Sequence, residues 1–185
     1  MSIKKDLINA FVENWRRECP ELDASPLGVF GRISRLSSHF TRRCEQWLAP
    51  LGLNWETFSV IVTLRRCGKP FELKPGDLLN VSLLTSGAIT NRIDRVEEMG
   101  LLTRLPDAND RRGVIVRLTP KGVRLAEEAI AVHFRELRKL LDPLTGRERD
   151  QLAKLLMKLL LGFEDGAASG ASKEKASAKV SDRVR

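Results

Sequence analysis

Two arginines three residues apart, Arg92 and Arg95, stand in the stretch "SGAITNRIDRVEEMG" at positions 86–100. Two guanidinium groups can grip one carboxylate or oxyanion through parallel hydrogen bonds, provided both face the same way. On a helix, which turns about 100° per residue, Ile89, Ile93, Val96 and Met99 define a buried arc. Arg95 lies opposite Ile93, outside that arc, where it can reach a phosphate or a base edge. Arg92 falls between Val96 and Met99, inside the arc. An unpaired buried charge is costly, so Arg92 must snorkel out, pair with an internal carboxylate, or hold a bound small anion. The pattern assigns the two arginines different partners.

Bulk properties narrow what those partners are. The chain has 185 residues, 42% of them hydrophobic, and a net charge of +8. That is enough for one globular domain with a real core. The charge favours a polyanion, nucleic acid first and an anionic membrane surface second. No apolar run approaches membrane-spanning length and the N-terminus has no continuous signal core, so a cytoplasmic protein that does not engage the membrane is expected. Cys19, Cys44 and Cys67 are few, odd in number and far apart, which fits neither a disulfide framework nor a zinc site. His39 and His133 alone give poor support for a metal or triad site. There is no nucleophile–base–acid set, phosphate loop or metal-ligand cluster, so no catalytic residue, metal site or cofactor is expected.

The elements that must position the arginines follow from periodicity. Leu7, Ile8, Phe11, Val12 and Trp15 recur at helical spacing and predict a helix over 3–18. Ser25-Pro26 opens a long second helix that keeps one apolar stripe to Pro50. Asn54 caps a third helix, "WETFSVIVTLRRC", which Gly68 stops. Lys74-Pro75-Gly76 opens a short helix, a break follows, and the stretch at 86–100 is the next helix. "LLTRLP" and "GVIVRLT" have strand character, with "DANDRR" as a hairpin tip. Thr119-Pro120 starts another long helix. Thr145 and Glu148 form a capping box before a last helix with a seam of Leu152, Leu155, Leu156, Leu159 and Leu160. The Ala-, Ser- and Lys-rich end is predicted to be disordered.

A short helix, a turn, a second helix and a hairpin make a winged helix-turn-helix, whose second helix enters a major groove. Its first turn must be narrow and able to hydrogen-bond; Ser86, Gly87, Ala88, Thr90 and Asn91 meet that demand. Arginine at the hairpin tip, beside Asp110 as Arg111 and Arg112, suits a narrow minor groove or a phosphate. These residues, with Gly100-Leu101-Leu102-Thr103-Arg104, Asp110-Arg111-Arg112 and Leu118-Thr119-Pro120-Lys121-Gly122, resemble a MarR-type transcriptional regulator over most of the chain. The resemblance implies a mainly α (α+β) fold: a winged helix-turn-helix with N- and C-terminal helices forming a homodimerisation domain. The expected divisions are N-terminal helices at 1–52, the DNA-binding domain at 53–119, C-terminal dimerisation helices at 120–163 and a tail at 164–185. It implies a homodimer on a palindromic double-stranded DNA operator, mostly as a repressor released by a small ligand. Asp110 and Arg112 would brace the wing and Arg111 would point toward DNA. The long apolar stripes of the outer helices independently call for a symmetric partner.

The N-terminal helix bearing Trp15 resembles the urate-responsive PecS/HucR-like branch of the family. There a Trp, an Asp and two arginines form the ligand pocket, and Trp15, Arg66 and Arg92 match three of those positions. Ser59, beside Phe58 and Val62, stands where the branch carries the Asp. Loss of that acid favours an aromatic or other organic carboxylate over a purine. The rival expectation is a cysteine-based redox sensor using Cys19 or Cys44; the absence of tyrosine argues against it.

Overall fold

In the computed structural model the described residues are 5–81, 89–108 and 110–181, with side chains excluded at 80, 81, 111, 112 and 166–181. The chain divides into two compact units, residues 1–136 and 137–185. The first holds α1 (Leu7–Glu18), α2 (Ser25–Leu48), a 3-10 turn (Ala49–Leu51), α3 (Trp55–Arg66), β1 (Glu72–Leu73), α4 (Pro75–Val81), α5 (Ile89–Glu98), β2 (Leu102–Asp107), β3 (Asp110–Leu118) and most of α6 (Pro120–Leu140).

Local chemistry explains where the helices start. Asp6 and Asn9 cap α1 reciprocally, and Asn54 and Thr57 do the same for α3, each satisfying amides that a first turn leaves orphaned. At α2 the accepting side chain lies two residues upstream of the expected Ser25, at Asp23. Ser25 is the first helical residue, and its amide and hydroxyl both donate to Asp23 at 2.9 Å. Thr119 accepts the Gly122 amide at 3.0 Å to open α6.

The core of this unit is built around α3. Phe58, Val60, Ile61 and Leu64 are buried on it, and so are Thr57, Ser59 and Thr63. A helix sheltered on nearly every side has little amphipathic pattern, because neighbours cover all its faces. Cys44 and Leu48 of α2, Leu53, Leu78 of α4, Ile93 and Val96 of α5, Leu101, Leu102, Val116 and Leu118 of the wing, and Ala126 and Ala129 of α6 complete the cluster. The sheet is antiparallel with order β1-β3-β2. Its third strand, β1, is absent from the sequence-based expectation because two residues carry no alternation; pairing of Glu72 with Arg117 and Leu73 with Val116 defines it.

The second unit contains the end of α6 and α7 (Gly146–Ser181). The expected capping box is present: the Thr145 amide donates to Glu148 at 2.8 Å, and the Glu148 amide donates to Thr145 Oγ1 at 3.4 Å. Leu152, Leu155, Leu156, Leu159 and Leu160 are all exposed on α7. The backbone is helical to Ser181, into the segment expected to be a tail from 164. Ala, Lys and Glu are good helix formers, and elongating a nucleated helix costs far less than starting one.

Candidate nucleic-acid interface and anion site

Helix α5 has the two faces that its sequence requires. Ile93 and Val96 are buried, whereas Thr90, Asn91 and Arg95 are exposed. Arg95 borders a hollow of about 200 Å³ together with Gly52, Leu53, Asn54, Thr57 and Met99. Ser86, Gly87 and Ala88, expected at the groove-facing tip, lie outside the described residues, as do the side chains of Arg111 and Arg112. Asp110 is exposed at the start of β3.

Two ion-pair systems tie the wing to the helices beside it. Arg104 on β2 pairs with both Asp94 and Glu97 of α5, and its amide donates to Glu97 at 3.0 Å. At the other end of β2, Lys74 Nζ lies 2.7 Å from Asp107 Oδ2, and that carboxylate side chain is only 2% exposed. Neither contact is part of the sequence expectation, which gives the bracing role to Asp110 and Arg112. The available signal is Asp107 directly after Pro106 at the end of the β2 run LTRLPD.

Arg92 points the other way from Arg95. Its side chain is 13% exposed and its Nη2 lies 3.2 Å from Glu56 Oε1 on α3. An internal carboxylate, one of the outcomes open to Arg92, is present beside it. Glu56 is the single acid on α3 and sits one turn before Ser59. Glu56, in the first turn of that helix, is the acid that meets Arg92. Ser59 is buried and its hydroxyl donates to the Trp55 carbonyl at 2.7 Å, so it faces its own backbone.

The expected ligand residues do not all converge. Phe58, Ser59 and Val62 lie on α3, which packs against α5 and Arg92. Arg66 is exposed at the far end of α3, ten residues beyond Glu56 and therefore about 15 Å along the axis. Trp15 is 51% exposed on α1, which packs against α2. Phe58 instead joins a sheltered aromatic group with Phe40, Trp47, Trp55 and His133; its ring centre is 4.8 Å from that of His133. Trp47 Nε1–H donates to His133 Nδ1 at 3.2 Å, and burial pushes the imidazole pKa below its ordinary 6.5. The Cys44 thiol is buried and pushed up to about 11, chiefly by desolvation and secondarily by Glu45.

A short helix, a second helix with one buried and one polar exposed face, and a hairpin clamped to both define a winged helix-turn-helix DNA-binding protein. The MarR family model matches residues 53–114, the span from the start of α3 into β3. The chain is 33% identical over 149 residues to the HTH-type transcriptional regulator PecS of Dickeya dadantii, covering 80% of this chain and 90% of PecS. The chain belongs to the MarR family of transcriptional regulators. Among solved structures, a MarR mutant from Escherichia coli complexed with operator DNA is similar with a TM-score of 0.65 and 29% identity, over 84% of this chain and 99% of that one. Bordetella bronchiseptica BpsR, whose DNA binding is regulated by 6-hydroxynicotinic acid, is similar with a TM-score of 0.64 and 25% identity, over 71% of this chain and 91% of BpsR. No described helix is long and apolar enough to cross a membrane.

Proposed function

We propose that the protein is a cytoplasmic, homodimeric repressor that leaves a palindromic operator when a small anionic organic ligand binds beside Arg92. The observation that carries this reading is the placement of Arg92. It is a sheltered cation on the reading-head helix, held by the half-exposed Glu56. A carboxylate ligand can exchange with Glu56 at that guanidinium, and any resulting shift of α5 acts directly on the groove contact. Phenolic and purine-type ligands belong to the same anionic class. BpsR supports an aromatic carboxylate first, since its regulator is one. Dimerisation is supported by the exposed leucines of α7, which a second copy would cover.

On the DNA side, Thr90, Asn91 and Arg95 are the exposed α5 residues that contact bases or phosphates, joined by Ser86, Gly87, Ala88 and the Arg111 tip. Trp15, Phe58, Ser59, Val62 and Arg66 are secondary candidates around the ligand. A thermal-shift panel of aromatic carboxylates, phenols and purines, followed by release of a bound duplex, tests the reading. A compound that binds the folded protein raises its melting temperature. Arg92→Ala should abolish that shift. Arg95→Ala should keep it while weakening DNA binding and lowering the salt slope by about one. Loss of DNA affinity with an intact ligand shift in Arg92→Ala would reverse the two assignments.

A further inference from the structure

Lys74 and Asp107 are far apart in sequence and meet at 2.7 Å. Lys74 directly precedes α4, the first helix of the reading head; Asp107 ends β2, at the tip of the wing. The strand pairing shifts between Pro106 and Asp107, so the chain kinks there and Asp107 pairs with Asp110. Gly113 leaves the space this requires. A Cβ at 113 would lie 2.9 Å from Asp107 Cβ and 3.0 Å from Asp110 Cβ. The hydrogen bond to Asp107 holds the Lys74 pKa above its usual value. A hairpin tip is ordinarily solvated and loosely held. This one has a buried carboxylate with a counter-charge placed just before α4, so swinging the wing away would break that ion pair.

We propose that the Lys74–Asp107 pair is a latch that sets the angle of the wing against α4, making both residues positioning residues for DNA binding. The proposal rests on the reading that the wing meets DNA through Arg111.

The sign of one substitution separates the latch from plain electrostatics. Removing an acid near DNA should tighten binding or leave it unchanged if only charge matters. The latch requires Asp107→Asn to weaken binding about three- to tenfold, the range of a coupled contact. The probe is a duplex selected by the wild-type chain from a randomised pool, and DNA-free melting confirms that each variant folds. The loss should vanish in an Arg111→Ala background, because a mispositioned wing without its arginine has nothing left to lose. If Asp107→Asn does not fold, exposed Lys74→Met carries the test. It should weaken binding only when Arg111 is present, whereas Lys74→Arg should bind as the wild type does. Tighter or unchanged binding by Asp107→Asn, or losses that add to that of Arg111→Ala, would overturn the latch alone. Arg111→Ala with unchanged affinity would sink the wing contact and the latch with it.

Discussion

Arg92 Nη2 lies 3.2 Å from Glu56 Oε1, the guanidinium side chain nearly sheltered and the carboxylate half in water. The asymmetry makes the two partners unequal. Glu56→Gln removes a built-in anion and leaves the cation ready for another, so a small carboxylate should bind about three- to tenfold more tightly. Titrating 6-hydroxynicotinate or salicylate into duplex-bound protein measures this. A weaker response in Glu56→Gln would mean that Glu56 helps to hold the ligand instead of competing with it.

His133 makes stability depend on pH in a defined direction. Its folded pKa is depressed by burial, so between that value and 6.5 the unfolded chain binds more protons. Stability is complete above 6.5 and falls as pH drops below it, at no more than about 1.4 kcal/mol per pH unit. Asp6, Asp23 and Glu148 have lowered pKa values too. Their contributions are lost only as pH falls below their ordinary values of 3.8 and 4.5, clear of the histidine window. Urea midpoints between neutral and mildly acid pH should be flatter in His133→Asn than in the wild type.

Gly122 is a packing requirement. A Cβ there would sit 1.8 Å from the Leu101 carbonyl oxygen, a backbone atom that a rotamer change cannot move aside. Gly122→Ala must push the start of α6 away from the junction between α5 and β2. The expected loss is about 3 kcal/mol or more, read from denaturant unfolding, with DNA affinity falling alongside. An alanine variant of near wild-type stability would show that the close approach is not kept in solution.

The cysteines should separate by accessibility. Cys67 is exposed, and Cys44 is buried with its thiol held near 11. The thiolate is the nucleophile, so native alkylation followed by peptide mass mapping should label Cys67 well before Cys44. Mild peroxide should leave operator binding unchanged. Release of DNA by peroxide, lost on replacing Cys19 or Cys44, would revive the redox alternative.

Much of the fold was legible because each element carries its own local signal. Asn54 and Thr145 mark helix starts through caps that need only neighbouring residues. Ile89, Ile93, Val96 and Met99 give α5 its buried arc, and the structure buries Ile93 and Val96 fully. β1 was not legible, since two residues become a strand only when β3 lies beside them. The length of α7 has no such local signal, because low apolar content argues against packing and says little about a helical backbone.

The different addresses of Arg92 and Arg95 follow from the sequence by itself, because helical periodicity sets the direction of every side chain on α5. Which acid meets Arg92 was decided only by the tertiary structure. The family resemblance points to position 59, whereas the packing of α5 against α3 brings up Glu56. The same holds for Lys74 and Asp107. A contact between residues so far apart in sequence has no local signature, and only the folded hairpin turning its tip back toward α4 puts the two charges together.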